Sequence, residues 1–416
     1  MLDIKYIREH AELIKENNKN RGVAVDMDRL LSLDRERRET ITRVEELRAL
    51  RKKTSQGKPA QEEIEKMRTV GDDIAKGEHE LAKIETELNT LMRIVPNLTH
   101  PEVPIGGEDD FKTLEISGKP PKFDFTPKDH EELMLALDVV DFDRGAKVAG
   151  TKFYFVKNDL VRLNHALIEY GADIVVKHGF TLMETPDLAR DDVLTGIGFN
   201  PRGPETQVYS IEGQGLSLVG TAEITLGGYH KDEILDLSRP LKYAGISHCF
   251  RTEAGSYGRT SKGLYRVHQF TKLELFIYCK PEESDHMHNE VLKIEQEIVD
   301  GLGLPYRVID TASGDLGGPA YRKFDIEAWM VMKDGYGEIT STSNCTDYQA
   351  RRLNVRYRDG SGNIQFAHTL NGTAVVTSRL PIAIFENFQT KEGSIMIPKA
   401  LQKYMGGLKE IKAQEK

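Results

Sequence analysis

The chain has 416 residues, 30% of them charged and 39% hydrophobic, a balance that suits two or three folded domains and excludes a disordered chain. Its net charge of −9 excludes a protein that coats nucleic acid through overall basicity, so any RNA binding must rest on local patches. The cysteines Cys249, Cys279 and Cys345 have no metal or disulfide spacing, and no apolar run nears the roughly 20 residues that span a bilayer. The charged start Met1-Leu2-Asp3-Ile4-Lys5 lacks the apolar core of a signal peptide, so a cytoplasmic protein without a membrane partner is expected.

The first hundred residues are rich in Glu, Lys, Arg, Leu and Ile and nearly free of aromatics. Val70, Gly77, Ile84 and Leu91 form one heptad series, and Met67, Ile74, Leu81, Leu88 and Val95 the other, a seam interrupted by Gly77. An earlier stretch carries Leu30, Leu33, Ile41, Val44, Leu47 and Leu50, and the turn signal Thr54-Ser55-Gln56-Gly57-Lys58-Pro59 separates the two. The pattern predicts an antiparallel two-helix coiled-coil arm over about 28–94, each helix roughly 45 Å long at 1.5 Å per residue. Its tip holds Arg48, Arg51, Lys52, Lys53 and Lys58 with no acid from Leu47 to Gln61. That fits a phosphate footprint, and equally a solvated helix end whose cations suit the dipole.

Pro96 ends this region and a Pro- and Gly-rich linker follows, which divides the chain into 1–100 and 101–416. Helical periodicity then appears over 128–137, 159–178, 282–300 and 379–387, and strand-like runs over 152–156, 241–250, 273–279, 306–309 and 323–330. The elements do not alternate as in a doubly wound fold, so an α+β architecture is expected, an antiparallel β-sheet with flanking helices.

Two segments carry chemistry. Phe250-Arg251-Thr252-Glu253-Ala254-Gly255-Ser256-Tyr257-Gly258-Arg259 leads to Arg266-Val267-His268-Gln269-Phe270 and Leu273-Glu274-Leu275. It reads as strand, Gly-rich loop, strand, with Arg251 and Glu253 on one face of the first strand. A fixed guanidinium, two carboxylates and a loop carrying Arg259, Lys262 and Arg266 suit a nucleoside triphosphate with an amine-bearing substrate. The second segment, His368-Thr369-Leu370-Asn371-Gly372-Thr373-Ala374, leads to a helix with Arg379 in its first turn. A cation there opposes the helix dipole and calls for an anion, either a phosphate or a neighbouring Asp or Glu.

These segments resemble motifs 2 and 3 of the class II aminoacyl-tRNA synthetases, in the form found in seryl-tRNA synthetases. Thr221-Ala222-Glu223, the run from Glu338-Ile339-Thr340-Ser341 to Gln349-Ala350-Arg351-Arg352, the opening residues and Val95-Pro96-Asn97-Leu98 are similar too, nearly end to end and in order. The resemblance implies that Arg251, Glu253 and Arg379 are catalytic, with Arg251 on the ATP α-phosphate and Glu253 on the adenine amino group. Phe270 would stack on adenine with Arg379 on the opposite face, and Thr252, Val267, Ile339 and Thr340 would complete the ATP site. Glu338 and Ser341 would hold ATP and its Mg²⁺, and Thr221, Ala222, Glu223, Glu274, Asn371 and Thr373 the L-serine. The arm-tip cations, with Arg259 and Lys262, would contact tRNA. A homodimer is implied, in which one subunit's arm presents tRNA(Ser), and tRNA(Sec) where it exists, to the other's site. Thr252 and Thr373 depart from the serine usual in bacterial forms, and Thr373 adds a methyl near the amino acid. Among lesser signals, Asp285, His286 and His288 fit a solvated helix start better than a metal site, and His248 fits a buried packing position.

Overall fold

The computed structural model describes residues 1–54, 61–199, 207–253 and 263–413. They fall into two compact units, Met1–Leu98 and Thr99–Lys416. No helix among the described residues is long and apolar enough to cross a membrane.

In the first unit two short helices, α1 (Ile4–Glu9) and α2 (Ala11–Asn20), precede the long pair α3 (Met27–Thr54) and α4 (Gln61–Ile94). Asp3 caps α1 by accepting from the Lys5 amide at 2.7 Å. The long pair buries Leu30, Leu33 and Val44 against Val70, Ile74, Ile84 and Leu88, as the heptads require. Gly77 is no interruption. A Cβ on it would lie 2.6 Å from Val44 Cγ2, so the missing side chain is what lets Val44 seat in the seam. Along the flanks Arg29 pairs with Glu87 at 2.7 Å, Arg37 with Glu85 at 3.0 Å, Arg48 with Glu78 at 2.7 Å, and Arg43 with Glu80. These exposed pairs set register more than they add stability.

The second unit is built on an eight-stranded sheet. Its strands are β1 (Lys112–Ser117), β2 (Thr181–Glu184), β3 (Leu241–Phe250), β4 (Gln269–Cys279), β5 (Tyr306–Asp310), β6 (Arg322–Met330), β7 (Gly335–Asn344) and β8 (His368–Val376). Their order is β1-β5-β6-β7-β8-β4-β3-β2, antiparallel except where β2 joins β3. The sheet is flanked by α5 (His130–Ala136), α6 (Asn158–Lys177), α7 (Ala222–Gly228), α8 (Ser284–Leu302), α9 (Tyr348–Leu353) and α10 (Arg379–Asn387). Alternation on β4 places each layer. Leu273, Leu275 and Ile277 join the core of α6 and α8, while Phe276 and Tyr278 join a second core with residues of α7 and α9. Glu274, in phase with the second set, faces the same side.

Three expectations on this unit change. Of 152–156 only Phe155–Val156 is strand, paired with Val140–Asp141 outside the main sheet, because Gly150 and Lys152 take positive φ (106° and 65°) and turn the chain. The Asp285–His288 region is not a solvated helix start throughout. His288 is buried, stacks on Phe324 at 4.5 Å and bonds the Thr342 carbonyl at 3.0 Å, and burial pushes its imidazole down to about 4. His248 departs the other way: it is exposed, with Nδ1 3.0 Å from the Thr271 hydroxyl.

Candidate active site

The site lies on the α7 side of β3, β4, β7 and β8. Two register irregularities sit inside it. The β4–β8 pairing skips Ala374 between Leu273 and Glu274, and the β6–β7 pairing skips Ile339 between Ile326 and Glu327. Each bulge re-aims a neighbouring side chain, Thr373 in one strand and Glu338 in the other.

Arg251 and Glu253 are not on the first strand as expected. β3 ends at Phe250, and Glu253 takes a left-handed backbone, φ 51°, that a non-glycine residue rarely adopts. The bend is held from both sides, since the Arg251 amide donates to the His268 carbonyl at 2.9 Å and the Thr252 amide to Gln207 at 3.1 Å. Arg251 Nε donates to the Gly220 carbonyl at 3.3 Å, and its guanidinium lies over the Phe270 ring at 5.2 Å. Glu253 sits 3.5 Å from Arg266.

These groups share one cleft with Val267, Phe270, Glu338, Ile339, Thr340, Ser341, Thr373 and Arg379. The anion that Arg379 calls for is Glu338. Arg379 Nη1 lies 3.1 Å from its carboxylate and donates to its carbonyl at 2.8 Å, with the guanidinium 4.7 Å from the Tyr265 ring. Burial alone would raise the Glu338 carboxyl, but Arg379 and Lys323 hold it below the usual range. It therefore stays ionised and available to a cation.

Beside this cleft a second group of side chains forms a small acidic pocket. Glu223, in the first turn of α7, accepts at Oε1 from Gln349 Nε2 (2.7 Å) and Asn371 Nδ2 (2.9 Å). Thr221 caps α7, its hydroxyl accepting from the Glu223 amide at 3.2 Å, and Ala222 is fully buried behind it. Glu274 is buried and paired with Lys272, and Thr373 Oγ1 donates to it at 3.4 Å. Burial, then the charge of Glu274, pushes the Glu223 carboxyl up to about 7. Burial also raises Glu274, with Lys272 opposing. Two adjacent carboxyls can accept from an ammonium group and from a separate hydroxyl, and their raised affinity for a proton marks them as held out of solvent in a working site.

Three members of the site were not singled out from sequence. Lys272 was legible in principle, two residues before Glu274 and therefore on its face. Gln349, fully buried, orients Glu223 and accepts from Thr369 at 2.7 Å, but nothing local says that α9 reaches the pocket. Tyr265 follows the loop and meets Arg379 only through the fold. Of the arm cations, Arg51, Lys52 and Lys53 are exposed, whereas Arg48 is engaged with Glu78. Lys58, Arg259 and Lys262 lie outside the described residues.

The family model for the tRNA synthetase class II core domain (G, H, P, S and T) matches residues 209–388, and that for the seryl-tRNA synthetase N-terminal domain matches 1–99. The serine–tRNA ligase of Treponema denticola is 54% identical over 418 residues, covering 98% of this chain and 99% of its own. Among solved structures, seryl-tRNA synthetase from Pyrococcus horikoshii complexed with ATP superposes with a TM-score of 0.92 at 38% identity, covering 100% of both chains. The cytoplasmic serine–tRNA ligase of Naegleria fowleri in complex with AMP gives 0.87 at 34% identity, covering 100% of this chain and 99% of that one.

Proposed function

Because the chain belongs to the seryl-tRNA synthetases, ATP-dependent ligases of class II, we propose that its two adjoining pockets activate L-serine and pass it to the 3′ end of tRNA(Ser), and of tRNA(Sec) where that exists. The observation that carries this is the adjacency of the Glu223–Glu274 acidic pocket and the cleft holding Arg251, Arg379 and Glu338. One side suits an amino acid's ammonium and hydroxyl, the other a triphosphate.

In the first step an oxygen of the serine carboxylate attacks the α-phosphorus of ATP, the bond to the β-phosphate breaks, and diphosphate leaves. The nucleophile is already ionised, so no general base is required. What is required is alignment and neutralisation of spreading charge. Arg251 on the α-phosphate and Arg379 toward the γ-phosphate supply positive charge, Phe270 offers adenine a stacking face, and Glu253 an acceptor for its amino group. Thr252, Val267, Ile339 and Thr340 line the nucleotide. In the second step a terminal ribose hydroxyl attacks the adenylate carbonyl, AMP leaves, and the hydroxyl proton passes out of the site.

Glu338 and Ser341 would hold Mg²⁺ together with the ATP phosphates. An ionised carboxylate and a hydroxyl are hard oxygen donors, and two of them suit an ion whose other ligands are phosphate oxygens and water. When bound, the ion would neutralise the phosphates. Selectivity rests on Thr221, Glu223, Glu274, Asn371 and Thr373: alanine would leave buried acceptors unpaired, and threonine is opposed by size.

Residues 1–100 act as the tRNA-binding domain and 101–416 as the catalytic domain of a cytoplasmic homodimer, one subunit's arm presenting tRNA to the other's site. Arg51, Lys52 and Lys53 at the tip, with Arg48, Lys58, Arg259 and Lys262, are the phosphate contacts of this reading. The test is amino-acid-dependent ATP–diphosphate exchange with serine, threonine, alanine and glycine. Exchange with serine alone is expected, and folded protein that exchanges with none would overturn the proposal.

A further inference from the structure

We propose that Glu295 is a positioning residue for both halves of the site, clamping β7 and β8 from behind the sheet as a neutral carboxylic acid. The inference rests on the reading of that site given above and adds a residue that touches neither substrate.

Glu295 lies on α8 and is fully buried. Its Oε2 accepts from the Thr340 hydroxyl at 3.0 Å. Thr340 stands on β7 directly before Ser341 and two residues after Glu338, with the bulged Ile339 between. Its other oxygen is aimed at β8: a Cβ on Gly372 would come within 2.6 Å of Glu295 Oε1. Gly372 separates Asn371 from Thr373, the two pocket residues of that strand. One carboxyl therefore holds a side chain of the nucleotide strand and abuts the serine strand at its glycine, at the points where each carries its site residues. Glycine at 372 is what admits it.

The chemistry of the surroundings requires the neutral form. Oε1 has no hydrogen-bond partner among the described residues, and an ionised carboxylate left that way in a dry core is strongly disfavoured. The charged groups near enough to act on it electrostatically are Glu274 and Lys272 on β4, across the sheet, and Asp325 on β6. Lys272 is engaged by Glu274, and Lys323 answers Asp325 at 3.2 Å, so no cation is left for Glu295 among these neighbours. Burial first, then the nearby acids, pushes its carboxyl well above the ordinary range. As a neutral acid it keeps its bond to Thr340 without placing a third negative charge behind Glu274 and Glu338.

The experiment compares E295Q, E295M and T340V with the unaltered protein in diphosphate exchange, and follows Tm from pH 5 to 8. E295Q keeps shape and neutrality, so its KM values should stay within about twofold, whereas E295M removes the polar contact at similar volume and should raise KM for serine and ATP together by about five- to tenfold. T340V should raise KM for ATP. A raised carboxyl keeps its proton in the folded state and loses it on unfolding, so its contribution to stability falls as pH rises above the unfolded value. Relative to E295Q, the unaltered protein should lose about tenfold in folding equilibrium per pH unit across that window. E295M with unaltered KM values would overturn the positioning role. E295Q as impaired as E295M, or parallel Tm curves, would overturn the neutral acid. If E295M fails to fold, E295Q and T340V still decide. Absence of serine-dependent exchange in the unaltered protein would count against the functional reading, and the Tm curves would still decide the protonation state.

Discussion

Gln349 Nε2 donates to Glu223 Oε1 at 2.7 Å from a position with no solvent exposure. The bond does two things: it fixes the carboxylate's orientation at the start of α7, and it favours its ionised form against the cost of burial. Q349M keeps the volume and removes the donor, and leaves the Thr369 hydroxyl without its acceptor. It should raise KM for serine by about five- to tenfold and cost about 1–3 kcal/mol of stability, with KM for ATP nearly unchanged. Equal loss in both KM values would show a general collapse of the site instead.

Serine binding should depend on pH, with a definite sign. The Glu223 carboxyl is pushed up to about 7 in the empty pocket, by burial and then by Glu274. Below that value the acid is protonated and offers the ammonium no charge, so the incoming amino acid must displace a proton. KM for serine should fall as pH rises toward 7, by up to about tenfold per unit, and level off above it. The same raised value means that Glu223 favours folding less as pH rises from the unfolded carboxylate range to about 7. Calorimetry of serine binding in buffers of different ionisation enthalpy should register proton release below pH 7. No release there would remove the assignment of Glu223 to the ammonium.

Arg379 and Glu338 hold each other ready. In R379A the Glu338 carboxyl loses its main counter-charge, burial dominates, and the group moves toward the neutral form. The exchange rate should drop by about 10²–10³-fold, since a cation acting on developing phosphate charge is lost together with an ionised oxygen donor. R379K should recover part of the rate but not the bond to the Glu338 carbonyl. Single-turnover formation of the adenylate measures the effect on the chemical step.

Legibility in the sequence follows how local each signal is. The arm could be read because heptads repeat through α4, and α10 because its periodicity begins at Arg379 and ends at Asn387. β7 was missed as a strand since its helix-facing positions are not apolar: Thr340 bonds Glu295, Thr342 bonds the Asn371 carbonyl, and Asn344 bonds Ser284. Periodicity arguments see hydrophobic faces and are blind to a buried polar one. Site residues on motif segments could be named from resemblance. Gln349 and Lys272 act on other residues through the sheet, and Glu253 sits on a bend that alternation alone would place in a strand.

The arm tip offers a test confined to RNA. Arg51 and Lys53 are exposed, while Arg48 already has Glu78 at 2.7 Å. R51E/K53E should weaken tRNA charging by about tenfold at moderate salt and flatten its dependence on salt, by roughly 0.7–0.9 in the log–log slope for each phosphate that is no longer neutralised. R48A should do less, because its guanidinium is shared with a carboxylate. Diphosphate exchange should be untouched by all three changes. A matching loss in exchange would show that the tip acts on the catalytic unit and not on RNA.

Gly77 lets the arm itself be loosened without altering a charge. A Cβ there meets Val44 Cγ2 at 2.6 Å, and a leucine would force the two helices apart at mid-length. G77L should destabilise the first unit by about 1–3 kcal/mol, the usual cost of overpacking a closed seam. The catalytic unit has its own core, so exchange with serine should continue at its normal rate while KM for tRNA rises. G77A is the informative control. Its methyl needs Val44 to give way, but alanine improves helix propensity by about 1 kcal/mol over glycine, so the two effects oppose and charging should stay near normal. If G77L charged tRNA as well as the unaltered protein, the close packing of the arm at this point would be irrelevant to RNA binding. The assignment of the arm to tRNA would then have to rest on the tip charges alone.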